Sequence, residues 1–449
     1  MCPQSKSFAS LRETPDLRRR EALTLLSGAA LSFAISPGNA WSAAADSSAL
    51  RLRAALDNWL AGIVDKGWVV GAAARVFRRD GLDVEASQGW ADREEKRKIE
   101  HNTIYRIYSM TKPLTAVVVM QLVERGKLSL DQPIADFLPE FAAPRVFVRF
   151  DGETPVTEAA QRPITVRHLL THTSGLSHSF NDGIEPTGAL YKRAGLVAGH
   201  ECADGTVDSL AALSRRIAQI PLAAQPGTRW IYGTSLDIAG RVAEVASGVE
   251  FAQLMREQLL APLRLADTTF QLQAAQKPRL AALYIAAPDA ETRRVPPEQI
   301  PSWGDEHVVP TGGMGLFSTL ADYTRFVRML MNGGELDGVR VLAESGVRQM
   351  MTDQLGPSFG TEPLSGAARF GLGGEVKGLG FGLGGSVLRD AALAGGIGSA
   401  GEYSWGGAAS TTFWVNRREG LGAVLMTQKL PSGVRPLRDE FRRLVYRSL

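Results

Sequence analysis

The chain has 449 residues, with 50 Lys and Arg against 47 Asp and Glu, and 44% of its residues are hydrophobic. That composition suits one large composite domain or two domains. The near-balance of charge implies no strongly basic face, so nucleic acid is not an expected partner.

In chain order, the first 45 residues differ from the rest. An arginine cluster (Arg18, Arg19, Arg20) precedes an apolar run from Ala22 to Ile35, and small residues follow at Ala43 and Ala45. This pattern reads as an export signal cut after about Ala45, which places the mature protein in the periplasm or outside the cell. The Arg19-Arg20 pair resembles a twin-arginine signal, although Ala22 stands where that signal prefers a bulkier apolar residue. No later segment offers a long unbroken apolar run, so no membrane anchor is expected after cleavage. Of the two cysteines, Cys2 falls in the signal and Cys202 lies alone in the polar loop "AGHECADGT". No disulfide within the mature chain is expected, and this loop is a poor setting for a reactive thiol.

Residues 48–65 place Leu50, Leu52, Leu56, Leu60 and Ile63 at helical spacing. The stretch "WVVGAAARVFRRDGLDVEASQGWAD" reads as two strands joined at Arg79-Asp80-Gly81. A second hairpin, "SWGGAASTTFWVNRREGLGAVLMTQ", turns at Arg418-Glu419-Gly420 near the other end, followed by an amphipathic terminal helix. These elements predict one antiparallel sheet built from both ends of a domain spanning 46–449. The sheet would come from about 46–130 and 310–449. A mainly helical region, about 131–309, would be inserted between them. The glycine-rich stretch 371–408 fits strand edges rather than a linker, because apolar strands resume directly after it.

The stretch "YRIYSMTKPLTAVVVMQLVERG" (105–126) carries the chemistry. Ser109 and Lys112 are three apart, so a helix starting near Ser109 would put both on one face. The helix that follows is apolar nearly all round and should be buried. Burial penalises an ammonium, so Lys112 could lose its proton and take one from a serine hydroxyl. The plainer alternative makes Ser109 a helix N-cap. Two further stretches favour chemistry: "WIYGTSLDIAG" sets Tyr232 just before a helix, and "SWGGAAS" sets Trp405-Gly406-Gly407 at the start of a β-run.

These three motifs, in this order, resemble those of the serine β-lactamase and penicillin-binding protein superfamily. Within it the chain is most similar to the class C β-lactamase-like esterases, the family VIII carboxylesterases, and the resemblance covers nearly the whole mature chain. It implies an α/β fold of the β-lactamase/DD-peptidase type, with an antiparallel sheet flanked by helices and a mainly helical second region. It also implies that Ser109 is the nucleophile, Lys112 its base and Tyr232 a proton shuttle that helps activate the deacylating water. The backbone N–H groups of Ser109 and Ala408 would form the oxyanion hole, and Trp405, Gly406, Gly407 and Thr234 would line the substrate. Two positions depart from the pattern: Thr234 replaces an Asn, and Trp405 replaces a Lys. A neutral indole cannot hold a carboxylate as that cation would, which points away from anionic lactams and toward neutral esters.

The expected activity is therefore acyl-enzyme hydrolysis of short-chain esters, a small-molecule substrate class, with weak β-lactam cleavage still open and no metal or organic cofactor. A β-lactamase, a D-Ala-D-Ala carboxypeptidase and an acyltransferase are the alternatives on the same scaffold, and a catalytically dead, cell-wall-binding protein is the alternative of a different class. Three other signals are read as decoys. "GPSFG" around Ser358 lacks the strand–turn–helix context of a nucleophile elbow. His168, His172 and His178 show no metalloprotease pattern. Asp237 and Glu244 are expected on a solvated helix face.

Overall fold

The structure, a computed structural model, describes residues 37–197, 207–286, 292–296, 299–300, 309–360, 364 and 377–449. The arginine cluster and apolar run of the expected signal, and both cysteines, lie outside the described residues. The chain divides into two units, 1–43 and 44–449, and the site lies in the second.

The two hairpins meet in the middle of an eight-stranded sheet. From the N-terminal side come β1 (Gly71–Arg78), β2 (Asp83–Asp92) and β3 (Arg97–Lys98). From the C-terminal side come β4 (Leu379–Phe381), β5 (Ser386–Leu388), β6 (Tyr403–Gly406), β7 (Thr412–Asn416) and β8 (Leu421–Thr427). The order is β4-β5-β6-β7-β8-β1-β2-β3, antiparallel at every step. β8 runs beside β1 in register from Thr427 opposite Ala72 to Leu421 opposite Arg78. The described part of the glycine-rich stretch supplies β4, β5 and β6.

Both faces of this sheet are covered, and the strand period sorts the side chains. Along β8, Leu421, Ala423 and Leu425 join one core with Leu52, Leu56, Leu60 and Ile63 of helix α1 (Pro37–Asp65) and Phe441 and Val445 of the C-terminal helix. Val424 and Met426 face the opposite core, which holds α2 (Thr111–Glu124), α3 (Ser235–Ser247) and α4 (Leu320–Met331). The C-terminal helix is α5 (Leu437–Ser448).

The inserted region departs from its expected helical character in two places among the described residues. Residues Arg145–Asp151 and Thr154–Ala159 form a β-hairpin that turns at Gly152-Glu153, and Gly152 has φ +60°. A glycine at the first position of a two-residue turn, between runs holding Val and Thr, is a hairpin signal. Tyr284–Ala286 also returns to pair with Lys429–Leu430, which ties the insertion back to the end of the sheet.

Phe441 is fully buried between Trp59, stacked at 5.6 Å, and Trp414, edge-on at 5.0 Å. Phe441→Ala should cost about 3–5 kcal/mol of stability, read as a lower midpoint in urea unfolding.

Candidate active site

α2 begins at Thr111, so Ser109 sits just before it on a 3-10 turn, Tyr108–Met110, and Lys112 lies in the first turn of the helix. No side chain caps α2, so Ser109 is not spent as an N-cap. Tyr108 has φ +47°, a conformation that costs a non-glycine residue of order 1–3 kcal/mol. Packing of Tyr108 against Leu283 and Ala409 holds it there, and the Thr111 hydroxyl donates to its carbonyl at 2.6 Å. The strain sits immediately before a half-buried serine.

Ser109 Oγ is the meeting point of two donors. Lys112 Nζ donates to it at 3.2 Å and the Tyr232 hydroxyl at 2.6 Å. Lys112 is only 2% exposed and also donates to the Gly313 carbonyl at 2.7 Å. Its Nζ lies 4.7 Å from the centre of the Tyr232 ring. The three residues expected from sequence are thus brought together.

Two residues that the sequence reading missed hold Lys112 in place. Asp237 is buried, not solvated as expected, and its carboxylate accepts the Gly313 N–H at 2.7 Å. The first two turns of α3 are buried because they pack against α2, so a polar residue there faces inward. A Cβ on Gly313 would stand 2.7 Å from the Asp237 carboxylate, so only glycine brings the backbone this close. The paired glycines of "PTGGMG" were the available signal. Glu244, half-buried, pairs with Arg241 and takes no part in the site.

Tyr232 is set in an aromatic wall. Trp230 stacks parallel to it at 5.9 Å and Phe180 at 5.6 Å, while His172 meets it edge-on at 4.9 Å. Trp405, at the end of β6, meets Tyr232 at 5.6 Å and Phe381 at 5.2 Å. Burial and the charge of Lys112 push the His172 imidazole well below its usual pKa, so the wall stays neutral there. The Thr234 hydroxyl turns to the Ser177 carbonyl at 3.3 Å and the Tyr191 hydroxyl at 3.5 Å, which makes it a framework contact.

β6 ends against the serine turn. Gly407 abuts the Ile107 carbonyl so closely that a Cβ would overlap it, and Gly406 leaves no room for one against the Arg438 guanidinium. Ala408 follows, exposed between buried neighbours. Its N–H has no acceptor among the described residues. A serine oxygen hydrogen-bonded by an amine and a phenol is set up, once it gives up its proton, to attack a carbonyl carbon.

The remaining decoys take other roles. Ser358 is exposed on a 3-10 turn, Pro357–Phe359. His168 Nδ1 accepts the Thr165 N–H in a helix cap, and His178 pairs with the Ser179 hydroxyl.

A protein-family model described as Beta-lactamase matches residues 56–447. The chain is 33% identical to Esterase EstB of Burkholderia gladioli, over 91% of this chain and 97% of that protein. It is 31% identical to the lovastatin esterase of Penicillium rubens, over 79% of this chain and 87% of that one. Among solved structures, EstCE1, described as a hydrolase with promiscuous acyltransferase activity, matches with a TM-score of 0.72 at 25% identity, over 90% of this chain and 100% of that one.

Asp237→Ala should leave the buried Gly313 N–H unpaired, cost about 1–3 kcal/mol of stability and lower turnover. Asp237→Asn keeps an acceptor for that N–H and should restore most of both. Thermal unfolding and ester turnover, measured side by side, check the pair.

Proposed function

The chain belongs to the Beta-lactamase family and has its fold, and we propose that it is a serine hydrolase that cleaves short neutral carboxylic esters through an acyl-enzyme. The observation that carries this reading is the single oxygen, Ser109 Oγ, hydrogen-bonded by both Lys112 and Tyr232. Lys112 keeps one N–H on the Gly313 carbonyl and serves as the base toward the serine hydroxyl. It takes the proton as Ser109 Oγ bonds to the ester carbonyl carbon. The carbonyl oxygen becomes an oxyanion, met by the N–H groups of Ser109 and Ala408. Collapse breaks the bond to the alcohol, which leaves with a proton passed through Tyr232. Water then attacks the acyl-serine and gives a proton to the same pair of groups; collapse breaks the bond to Ser109 Oγ, which takes that proton back as the acid leaves.

Trp405 supports the choice of ester over lactam. It is 3% exposed and neutral, so position 405 offers an apolar wall where an anionic substrate would want a cation. A charge-assisted hydrogen bond is worth about 1.5–3 kcal/mol, so a substrate that needs one loses roughly tenfold to a hundredfold here. A short neutral ester has no carboxylate and loses nothing. The esterase relatives favour the same reading. The promiscuous acyltransferase activity of EstCE1 favours acyl transfer as a second reading, with an alcohol or amine in place of water.

Ser109→Ala should abolish hydrolysis of p-nitrophenyl butyrate and labelling by a fluorophosphonate, while Ser358→Ala should change neither. Label found on another serine would sink the assignment.

Wild-type kcat/KM for p-nitrophenyl acetate or butyrate should exceed that for nitrocefin by at least about tenfold. The reverse order, at equal protein purity, would replace the esterase reading with a β-lactamase.

A further inference from the structure

We propose that Arg438, in the first turn of α5, is a positioning residue for the oxyanion site: it pins the Gly407–Ala408 peptide so that the Ala408 N–H faces Ser109. The inference rests on the acyl-enzyme reading of the site.

Arg438 Nη2 donates to the Gly407 carbonyl at 2.6 Å, a short charge-assisted bond. The same carbonyl accepts the Ser410 N–H at 3.1 Å, so its direction is fixed twice. The Gly407–Ala408 peptide is trans. In a trans peptide the C=O and the following N–H point in opposite directions. A carbonyl drawn toward α5 therefore sends the Ala408 N–H toward the other side of the strand end. That side is the serine turn: Gly407 lies on the Ile107 carbonyl, and Ala409 packs against Tyr108. Ala408 is the exposed residue between them, and its N–H has no acceptor among the described residues.

The guanidinium also acts on the strength of the donor. A positive charge on a carbonyl oxygen draws electron density through the amide, which makes the attached N–H a better donor to a developing anion. Burial lowers Arg438 to about 10, which leaves it charged at neutral pH. Its access depends on Gly406, where any Cβ would overlap the guanidinium. The pair of glycines at 406 and 407 thus has two reasons: one admits Arg438 from behind, the other admits Ile107 in front.

α5 is anchored independently by Leu437, Phe441 and Val445 in the core beneath it, so the helix does not need Arg438 to dock. This makes substitution a fair test. With p-nitrophenyl butyrate, Arg438→Met should lower kcat by about 10- to 100-fold, with KM moving much less. Affinity for an arylboronic acid, which forms a tetrahedral adduct on Ser109, should fall by a similar factor. Arg438→Lys, which can still donate to Gly407, should recover part of both losses. Circular dichroism and thermal unfolding of each variant separate a lost fold from a misaimed donor. If Arg438→Met is folded and matches wild type in kcat and boronate affinity, the inference is wrong. So is it if the loss falls on KM alone. A wild-type chain that forms no acyl-enzyme would instead overturn the hydrolase reading on which the inference rests.

Discussion

A lysine nitrogen out of water must be met by acceptors, and the site is arranged around how Lys112 is met. It reaches Gly313 at 2.7 Å, and the Gly313 N–H is held in turn by Asp237. That chain of bonds crosses three pieces of backbone: α2, the glycine segment before α4, and α3. None could shift without stranding a buried polar group. Ser109 and Tyr232 therefore inherit their geometry from a contact neither of them makes. Ser109 sits on the turn before α2 and Tyr232 just before α3, and Lys112 lies close to both.

The wall around Tyr232 is shaped by packed rings rather than by charge. Trp230, Phe180, His172 and Trp405 all lie within 5.9 Å of the Tyr232 ring, centre to centre. Rings packed this closely have few alternative positions, so the phenol cannot swing far from Ser109. Keeping His172 neutral matters in the same setting. A charged imidazole there would be buried against the Tyr232 ring with no acceptor to meet it among the described residues.

Much of this was legible in the sequence, because it depends on local pattern. Alternating apolar residues and turn residues at Arg79–Gly81 and Arg418–Gly420 predict the two hairpins, and the all-apolar helix after Lys112 predicts burial. What escaped depends on contacts between distant segments. Asp237 looks solvated because an acidic residue in the first turn of a helix usually is; here the first turns of α3 are packed against α2. The 145–159 hairpin lies among helical surroundings, although its turn glycine, Gly152, was in plain view. Arg438 carries no motif at all. Its place depends on the missing side chain of Gly406, and an absence is visible only once the strand and the helix are set side by side.

The pairing of β1 with β8 sets the order in which the molecule can be completed. Residue 72 finds its partner at residue 427, so the centre of the sheet stays open until almost the whole chain is available. A nascent chain would carry β1 and β2 as a hairpin with one bare edge while most of the sequence followed, and such an edge is prone to pair with a stranger. Lys112, the glycine segment and the part of the aromatic wall around Tyr232 are made earlier, yet Trp405, Ala408 and Arg438 come near the end. The candidate site can thus be completed only as the sheet closes, because its last pieces arrive with the strands that fill the gap.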